Sequence, residues 1–375
     1  MAGIYIHIPF CKKRCIYCDF YSTTALTLRQ QYVDAVCHEL KERAHYLKGE
    51  KIQTIYFGGG TPSLLRTEHF SQLFRTIEET FGSLQCEEIT LEANPDDLTD
   101  EYVQALASLP INRLSIGIQT FNDTLLKTLN RRHTAADAVA AVERCRQAGF
   151  HNISIDLIYG LPGETEQSWE ADLQQAVSLG AQHISAYHLT YEEGTALWKL
   201  REKQQLREVT EEQSLRFFDM LLQTLQSAGY EHYEISNFCL PGYHSRHNSA
   251  YWQGVPYLGC GPAAHSYDRT SRQWNVASLK QYLQAIARGE NYSEREELHL
   301  STRYNEYVMV SLRTAQGIDL KKLKEEYGNT LYDYCLQMAR PGIARGHLAL
   351  AEQHLRLTRS GLFISDDILS DLMYL

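Results

Sequence analysis

The chain has 375 residues, 43% hydrophobic and 22% charged, a globular composition with room for two to three domains or one large barrel plus an appendage. A formal net charge of −10 argues against a broad nucleic-acid-binding face and leaves only a local basic patch open. Nine cysteines, mostly scattered, do not resemble a secreted disulfide scaffold, so reduced thiols in a cytoplasmic compartment are expected.

The opening MAGIYIHIPFC lacks the basic n-region and long apolar h-region of a signal peptide, and none is expected. No stretch approaches the roughly 20 apolar residues that cross a bilayer, so any membrane contact is peripheral. Strands are predicted at Gly3–Ile8, Ile52–Phe57, Glu88–Glu92, Arg113–Ile118, Asn152–Ile158 and His183–Leu189. Helical spacing links Val33, Val36, Cys37, Leu40, Ala44 and Leu47, and again Phe70, Leu73, Phe74, Ile77 and Phe81. Thr134 is placed to cap the helix ending near Gly149, and Thr165 the helix ending near Gly180. Six βα units in series predict a parallel sheet with right-handed crossovers, either open and doubly wound or a partial barrel.

Unusual residues follow the strands. Cys11 follows the first, Gly58-Gly59-Gly60-Thr61-Pro62 the second, and Glu92 ends the third. Gln119 follows the fourth, Asp156 lies late in the fifth, and Thr190 follows the sixth. All six therefore send a distinctive element to one rim, where barrels of this kind collect their chemistry. Beyond residue 190 a charged helix is predicted at about Glu211–Ala228 and a strand at His232–Phe238. A loop rich in glycine, aromatics and histidine is predicted to run to about Asp268. A helical module is expected from about Leu298, with a terminal hairpin of Leu355–Leu357 and Leu362–Ile364 around Thr358-Arg359-Ser360-Gly361.

Cys11, Cys15 and Cys18 are spaced C-x3-C-x2-C. A structural zinc site usually closes with four ligands, and disulfides need pairs. Three thiolates on a [4Fe–4S] cube leave one iron open for an exchangeable ligand. Zinc with a distant fourth ligand is the bland alternative. Lys12, Lys13 and Arg14 are expected to lower the thiol pKa values and favour metallation.

These cysteines, with Tyr17 before the last, resemble the signature of radical S-adenosylmethionine (SAM) proteins. The wider set Y-I-H-I-P-F-C, G-G-G-T-P, E-A-N-P, S-I-G-I-Q and D-L-I-Y-G-L-P-G resembles oxygen-independent coproporphyrinogen III oxidase and its relatives along the whole chain. The oxidase carries a fourth cysteine two residues past the third and an N-terminal extension. Here Cys18-Asp19-Phe20 puts Phe20 at that position, and the first strand begins at residue 3. C-D-F, and H-N-x-x-Y-W as His247-Asn248-Ser249-Ala250-Tyr251-Trp252, resemble the heme-chaperone branch instead.

The resemblance implies that Cys11, Cys15 and Cys18 ligate three irons of a [4Fe–4S] cluster whose fourth iron binds the amino and carboxylate groups of SAM. One electron would then cleave the sulfonium to a 5′-deoxyadenosyl radical. Gly59, Gly60 and Thr61 would let backbone approach the methionine end of SAM. Glu92, Gln119, Arg131 and Asp156 match the family's SAM contacts, Arg131 as a planar donor for the carboxylate. Tyr5 and Tyr17 match positions around cluster and cofactor, and Thr190 matches through one strand end. Taken singly, each is more often an ordinary satisfied polar group. His247 is the heme-ligand candidate, since neutral imidazole is a common axial ligand; His244, His265 and Cys260 compete with it. Tyr251 and Trp252 would pack on a porphyrin face. No catalytic residue is assigned.

The expected fold is a partial (β/α)6 barrel over residues 1–230, a connecting region with the heme motif over 231–295, and a mainly helical domain over 296–375. The expected function is a heme chaperone that delivers heme to respiratory-chain apo-proteins, without nucleic acid, in the cytoplasm and with peripheral contact as its only membrane mode. The runner-up is the oxidase, converting coproporphyrinogen III propionates to vinyls by radical decarboxylation. A zinc-binding module is a third reading.

Overall fold

The structure, a computed structural model, describes residues 1–82 and 85–374. Strand β1 (Ala2–Ile8) shows why the sheet forms: Ile4, Ile6 and Ile8 are fully buried on one face, while Tyr5 and His7 alternate onto the other. The same division recurs in β2 (Ile52–Gly59), β3 (Glu88–Ala93), β4 (Arg113–Gln119), β5 (Ile153–Tyr159) and β6 (His183–His188). These six strands lie side by side in chain order, each parallel to the next.

Helices α1 (Arg29–Glu42), α2 (Thr67–Phe81), α3 (Asp100–Leu106), α4 (Asp123–Thr128), α5 (Ala135–Gln147) and α6 (Glu166–Leu179) connect them. Phe70 and Phe74 of α2 meet Phe57 of β2 edge-on, at 5.2 and 5.4 Å between centroids. Thr134 caps α5 and Thr165 caps α6, each in a reciprocal capping box that satisfies two otherwise orphan donors. Ala44 and Leu47 lie past the end of α1 in turns, since the helix stops at Glu42. Helices α7 (Ala196–Glu202) and α8 (Glu211–Ser227) follow the sixth strand.

The expected strand at 232–238 is a hairpin, β7 (Glu231–Glu234) and β8 (Asn237–Cys239), with β8 antiparallel to β6. The stretch expected as a loop to Asp268 is structured. It holds α9 (Arg246–Trp252), β9 (Tyr257–Cys260) and β10 (His265–Tyr267), and continues into β11 (Ser271–Asn275), α10 (Leu279–Arg288) and β12 (Ser293–Glu297). β9 runs parallel beside β1, so one sheet of twelve strands spans both regions in the order β12-β11-β10-β9-β1-β2-β3-β4-β5-β6-β8-β7. Strands of three to five residues carry too little periodicity to be read locally, and pairing of β9 with β1 and of β8 with β6 supplies their stability.

A buried network makes that extension. Glu39 of α1 accepts from Tyr282 Oη (2.6 Å), Asn275 Nδ2 (2.8 Å), Gly261 N (2.8 Å) and Arg43 Nη1 (2.9 Å). Arg43 in turn donates to Gly259 O at 3.0 Å and Ser266 Oγ at 2.9 Å.

The C-terminal module has α11 (Leu300–Leu312), β13 (Ile318–Asp319), α12 (Leu320–Ala344, interrupted at Gly328), β14 (Leu348–Ala351), β15 (His354–Leu357), α13 (Arg359–Leu362) and α14 (Ser365–Leu372). It buries its own core, including Val308, Leu312, Leu323, Leu355 and Leu372. The hairpin is β14–β15 rather than the expected pair, because Thr358 caps a helical turn by accepting from Gly361 N at 3.2 Å. Among the described residues no helix is long and apolar enough to cross a membrane.

Removing the Glu39 carboxylate strands Arg43 and three further donors in the interior. Glu39→Ala is expected to cost about 3–5 kcal/mol, measured as a lower urea midpoint by circular dichroism, with Glu39→Gln intermediate.

Candidate functional site

The inner face of the strands is polar. Tyr5, Tyr56, Thr90 and Arg113 sit in register across β1 to β4, and Gly117, Asp156 and Ser185 across β4 to β6. Above them, at the C-terminal ends of the strands, opens a cavity of about 930 Å³. Its wall includes Cys11, Cys15, Cys18, Tyr17, Gly59, Gly60, Thr61, Glu92, Gln119, Arg131, Asp156 and Thr190. Fourteen sequence candidates thus reduce to twelve that share one cavity and two, Tyr5 and His247, that stand outside its lining.

The cysteine loop leaves β1 and is pinned at both ends. Cys11 N donates to Thr23 O and Thr23 N to Pro9 O, at 2.9 and 2.7 Å. Its middle is held from outside by Asn130 Nδ2 donating to Arg14 O at 2.8 Å, and by Leu197 N donating to Ile16 O at 2.8 Å. All three cysteines are free thiols. Cys18 is pushed up to about 11 by burial, with the neighbouring sulfurs adding to the shift. Of the three cations expected to help, Lys12 Nζ pairs with Asp97 at 2.6 Å and Arg14 reaches Phe20 O at 3.4 Å, while Lys13 lines the cavity. The cation bonded to a thiol is Arg131, whose Nη1 lies 3.4 Å from Cys15 Sγ.

Arg131 also donates through Nη2 to Asn94 Oδ1 at 2.7 Å. Asn94 Nδ2 donates to Thr61 Oγ1 at 3.2 Å, and Thr61 Oγ1 lies 3.5 Å from Cys11 Sγ. A polar chain therefore joins Cys15 to Cys11 around one side of the cavity. Asn94 was legible only as part of E-A-N-P, and its role needed the third and fourth strands side by side. Gly60 closes the other side. A Cβ there would stand 2.8 Å from Phe10 O and 3.1 Å from Cys11 Sγ, so only glycine lets the two loops touch.

Glu92 accepts from Tyr56 Oη at 2.8 Å and from Gly59 N at 3.2 Å. Burial pushes its carboxyl up to about 7, with Asp156 nearby reinforcing the shift. Asp156 is likewise raised by burial and receives Ser115 Oγ at 3.2 Å. Two carboxyls held above their ordinary range in one lumen suit a cationic ligand, which restores charge balance when it binds. Gln119 has φ of 74°, and its Nε2 comes within 2.8 Å of where a Cβ on Gly117 would be. Such a left-handed non-glycine residue is a strained position held by its surroundings, as occurs at ligand sites. Three thiols on one wall, glycine backbone beside them and acceptors opposite fit a [4Fe–4S] cluster with SAM across the rim.

Tyr5 lies just beneath, stacked on Tyr56 at 6.0 Å. His247 lies deeper, on α9 across the N-terminal ends of β2 and β3. Its Nδ1 bonds Thr54 Oγ1 and its Nε2 bonds Tyr251 Oη, each at 2.8 Å. The ring stacks on Tyr56 at 5.1 Å, and burial lowers its pKa to about 3. Both ring nitrogens carry hydrogen bonds in this arrangement, which ties α9 to the barrel; ligation of heme iron by His247 would exchange one of them for the metal.

Residues 5–176 match the model of the radical SAM superfamily, and residues 298–364 that of the HemN C-terminal domain. Heme chaperone HemW of Bacillus subtilis (strain 168) is 34% identical over 372 residues, 98% of either chain. Heme chaperone HemW of Lactococcus lactis subsp. lactis (strain IL1403) is 37% identical over 323 residues, 86% of this chain and 84% of that one. The chain belongs to the HemW family of radical SAM proteins. Coproporphyrinogen III oxidase (HemN) from Escherichia coli, a radical SAM enzyme, superposes with a TM-score of 0.86 at 24% identity, over 99% of this chain and 90% of that one. The HemW-family chain thus shares that fold, a partial (β/α)6 barrel with a smaller, mainly helical C-terminal domain.

The raised Glu92 predicts a pH dependence. Without ligand, its folded pKa above the ordinary 4.5 contributes stability that is lost as pH rises through about 7. SAM binding runs the other way. Its affinity is expected to increase as pH rises through about 7, and calorimetric titrations of Glu92→Gln should show that slope flattened.

Proposed function

We propose that this chain is a heme chaperone, holding a [4Fe–4S] cluster on Cys11, Cys15 and Cys18 with SAM beside it, and passing heme to respiratory-chain apo-proteins. When bound, cluster and SAM together supply one-electron chemistry at the rim. The chain's own residues orient and enclose them. Arg131 compensates thiolate charge, Glu92 and Asp156 accept from the cationic and hydroxyl groups of SAM, and Gly59-Gly60-Thr61 approach it as backbone. Gln119, Tyr17 and Thr190 complete the SAM surface, with Tyr5 supporting Tyr56 from below.

The observation that carries the heme reading is the apolar mouth of the cavity. Phe20, Tyr187 and Leu215 line it at 63%, 43% and 38% exposure, three of the few large hydrophobic side chains so exposed. Phe218 and Phe363 line it too, packed edge-on at 5.6 Å. Exposed apolar surface gathered in one concavity marks a binding site, and a flat macrocycle covers such a surface. Phe20 stands where the oxidase pattern has its fourth cysteine, which favours the chaperone. The proposed division is barrel 1–230, connecting region 231–295 and C-terminal domain 296–375. Delivery is proposed to occur in the cytoplasm, peripherally where a recipient sits at a membrane.

Anaerobic reconstitution is expected to give about four irons and four sulfides per chain, and Ser at any of the three cysteines should abolish the cluster's absorption. Hemin titration should saturate near one per chain. His247→Ala is expected to weaken hemin binding and change the bound-heme spectrum; an unchanged spectrum with stability lower by about 1–3 kcal/mol would move the ligand elsewhere and leave His247 a structural tie. Turnover of coproporphyrinogen III without saturable hemin binding would replace the chaperone by the oxidase.

A further inference from the structure

One corner of the cavity, away from the cysteines, is rich in hydrogen-bond donors that lack acceptors. Arg113 opens β4 at 1% exposure and lines the cavity, yet its Nε has no hydrogen-bond partner. Its one ion-pair neighbour among the described residues, Glu88, stands 3.9 Å away, beyond hydrogen-bond reach. Glu88 is already committed, because its Oε1 accepts from His247 N and its Oε2 from Arg246 N, both at 2.9 Å.

Arg313 reaches the same cavity from the C-terminal module, directly after α11. Its guanidinium lies 5.8 Å over the Trp252 ring and makes no hydrogen bond or ion pair among the described residues. Trp252 Nε1 is itself buried without a partner. Backbone bonds hold this side of the corner in place: Ile235 N donates to Arg313 O at 2.9 Å, and Ala315 N to Tyr233 O at 3.0 Å. The nearby carboxylate, Glu234, is occupied by Ser236 N at 3.1 Å and by Asn237 Nδ2.

Both guanidinium groups are permanently charged and carry donors only. Burying Arg113 without hydrogen-bond acceptors is costly even with the Glu92 and Asp156 carboxyls nearby, and an anionic ligand that brings oxygen atoms to it and to the half-buried Arg313 removes the cost. We infer that Arg113 and Arg313 form a carboxylate-binding corner, built jointly by the barrel and the C-terminal module, that orients the bound ligand across the cavity. The carboxylate is a heme propionate, which rests on the heme-chaperone reading; the methionyl carboxylate of SAM belongs at the cysteine wall beside Arg131, so SAM serves as the control ligand.

The test uses the full-length, cluster-reconstituted chain under anaerobic conditions. Hemin, hemin dimethyl ester and SAM are titrated separately against wild type, Arg313→Gln and Arg113→Lys, with circular dichroism to confirm folding. Because Arg113 is buried, Arg313→Gln carries the decision if Arg113→Lys does not fold. For a propionate, Arg313→Gln weakens hemin by about tenfold or more and leaves the dimethyl ester unchanged. Hemin staying within about twofold of wild type in Arg313→Gln overturns the inference, whether or not SAM weakens. Absence of saturable hemin binding to wild type would sink the heme reading and the inference with it, whereas saturable hemin binding indifferent to Arg313→Gln sinks the inference alone.

Discussion

The burial of charge inside the barrel is the constraint on which the rest of the structure depends. Strand alternation sends isoleucines and leucines outward to the helices and leaves the inner face to Tyr56, Glu92, Arg113, Ser115, Asp156 and Ser185. A lumen so lined cannot collapse into a dry core without orphaning those groups. It is closed below by α9, whose His247 and Arg246 backbone N–H groups are received by Glu88. Above, it stays open, and the raised Glu92 and Asp156 carboxyls wait there for positive charge.

The cysteine loop answers the same constraint from the rim. Three thiols in one short loop need a counter-charge, and Lys12 and Arg14 beside them are engaged with Asp97 and Phe20 O. Arg131, more than a hundred residues away, supplies one through its contact with Cys15. Asn94 and Thr61 then carry the hydrogen bonding across to Cys11. Cluster loop, glycine loop and the turns after β3 and β4 therefore behave as one polar unit, and each depends on strands adjacent in space.

The segment after residue 231 belongs to this frame as much as the six βα units do. It extends the sheet at both edges, with β8 on β6 and β9 on β1. The Glu39–Arg43 network welds one extension to α1. The C-terminal module keeps a core of its own yet touches the cavity through Arg313, Leu362 and Phe363. A ligand in the mouth is therefore held by both parts of the chain.

The six strands, their helices and the capping threonines were legible in the sequence, because long amphipathic periodicity and local capping chemistry involve neighbours in the chain. So were the cysteines, the glycine loop and the polar residues ending each strand, because parallel βα order sends all of them to one rim. The short strands after residue 231 were not, since runs of three to five residues acquire a partner only when the sheet exists. Nor were the partners of His247: Thr54 and Tyr251 meet its two ring nitrogens only once α9 crosses the ends of the strands. The sequence by itself determined the βα barrel and its family, through patterns that repeat locally. Tertiary structure alone decided which guanidinium meets Cys15, which groups bond the two nitrogens of His247 and which arginines lack acceptors, because those outcomes depend on distances between residues remote in the chain.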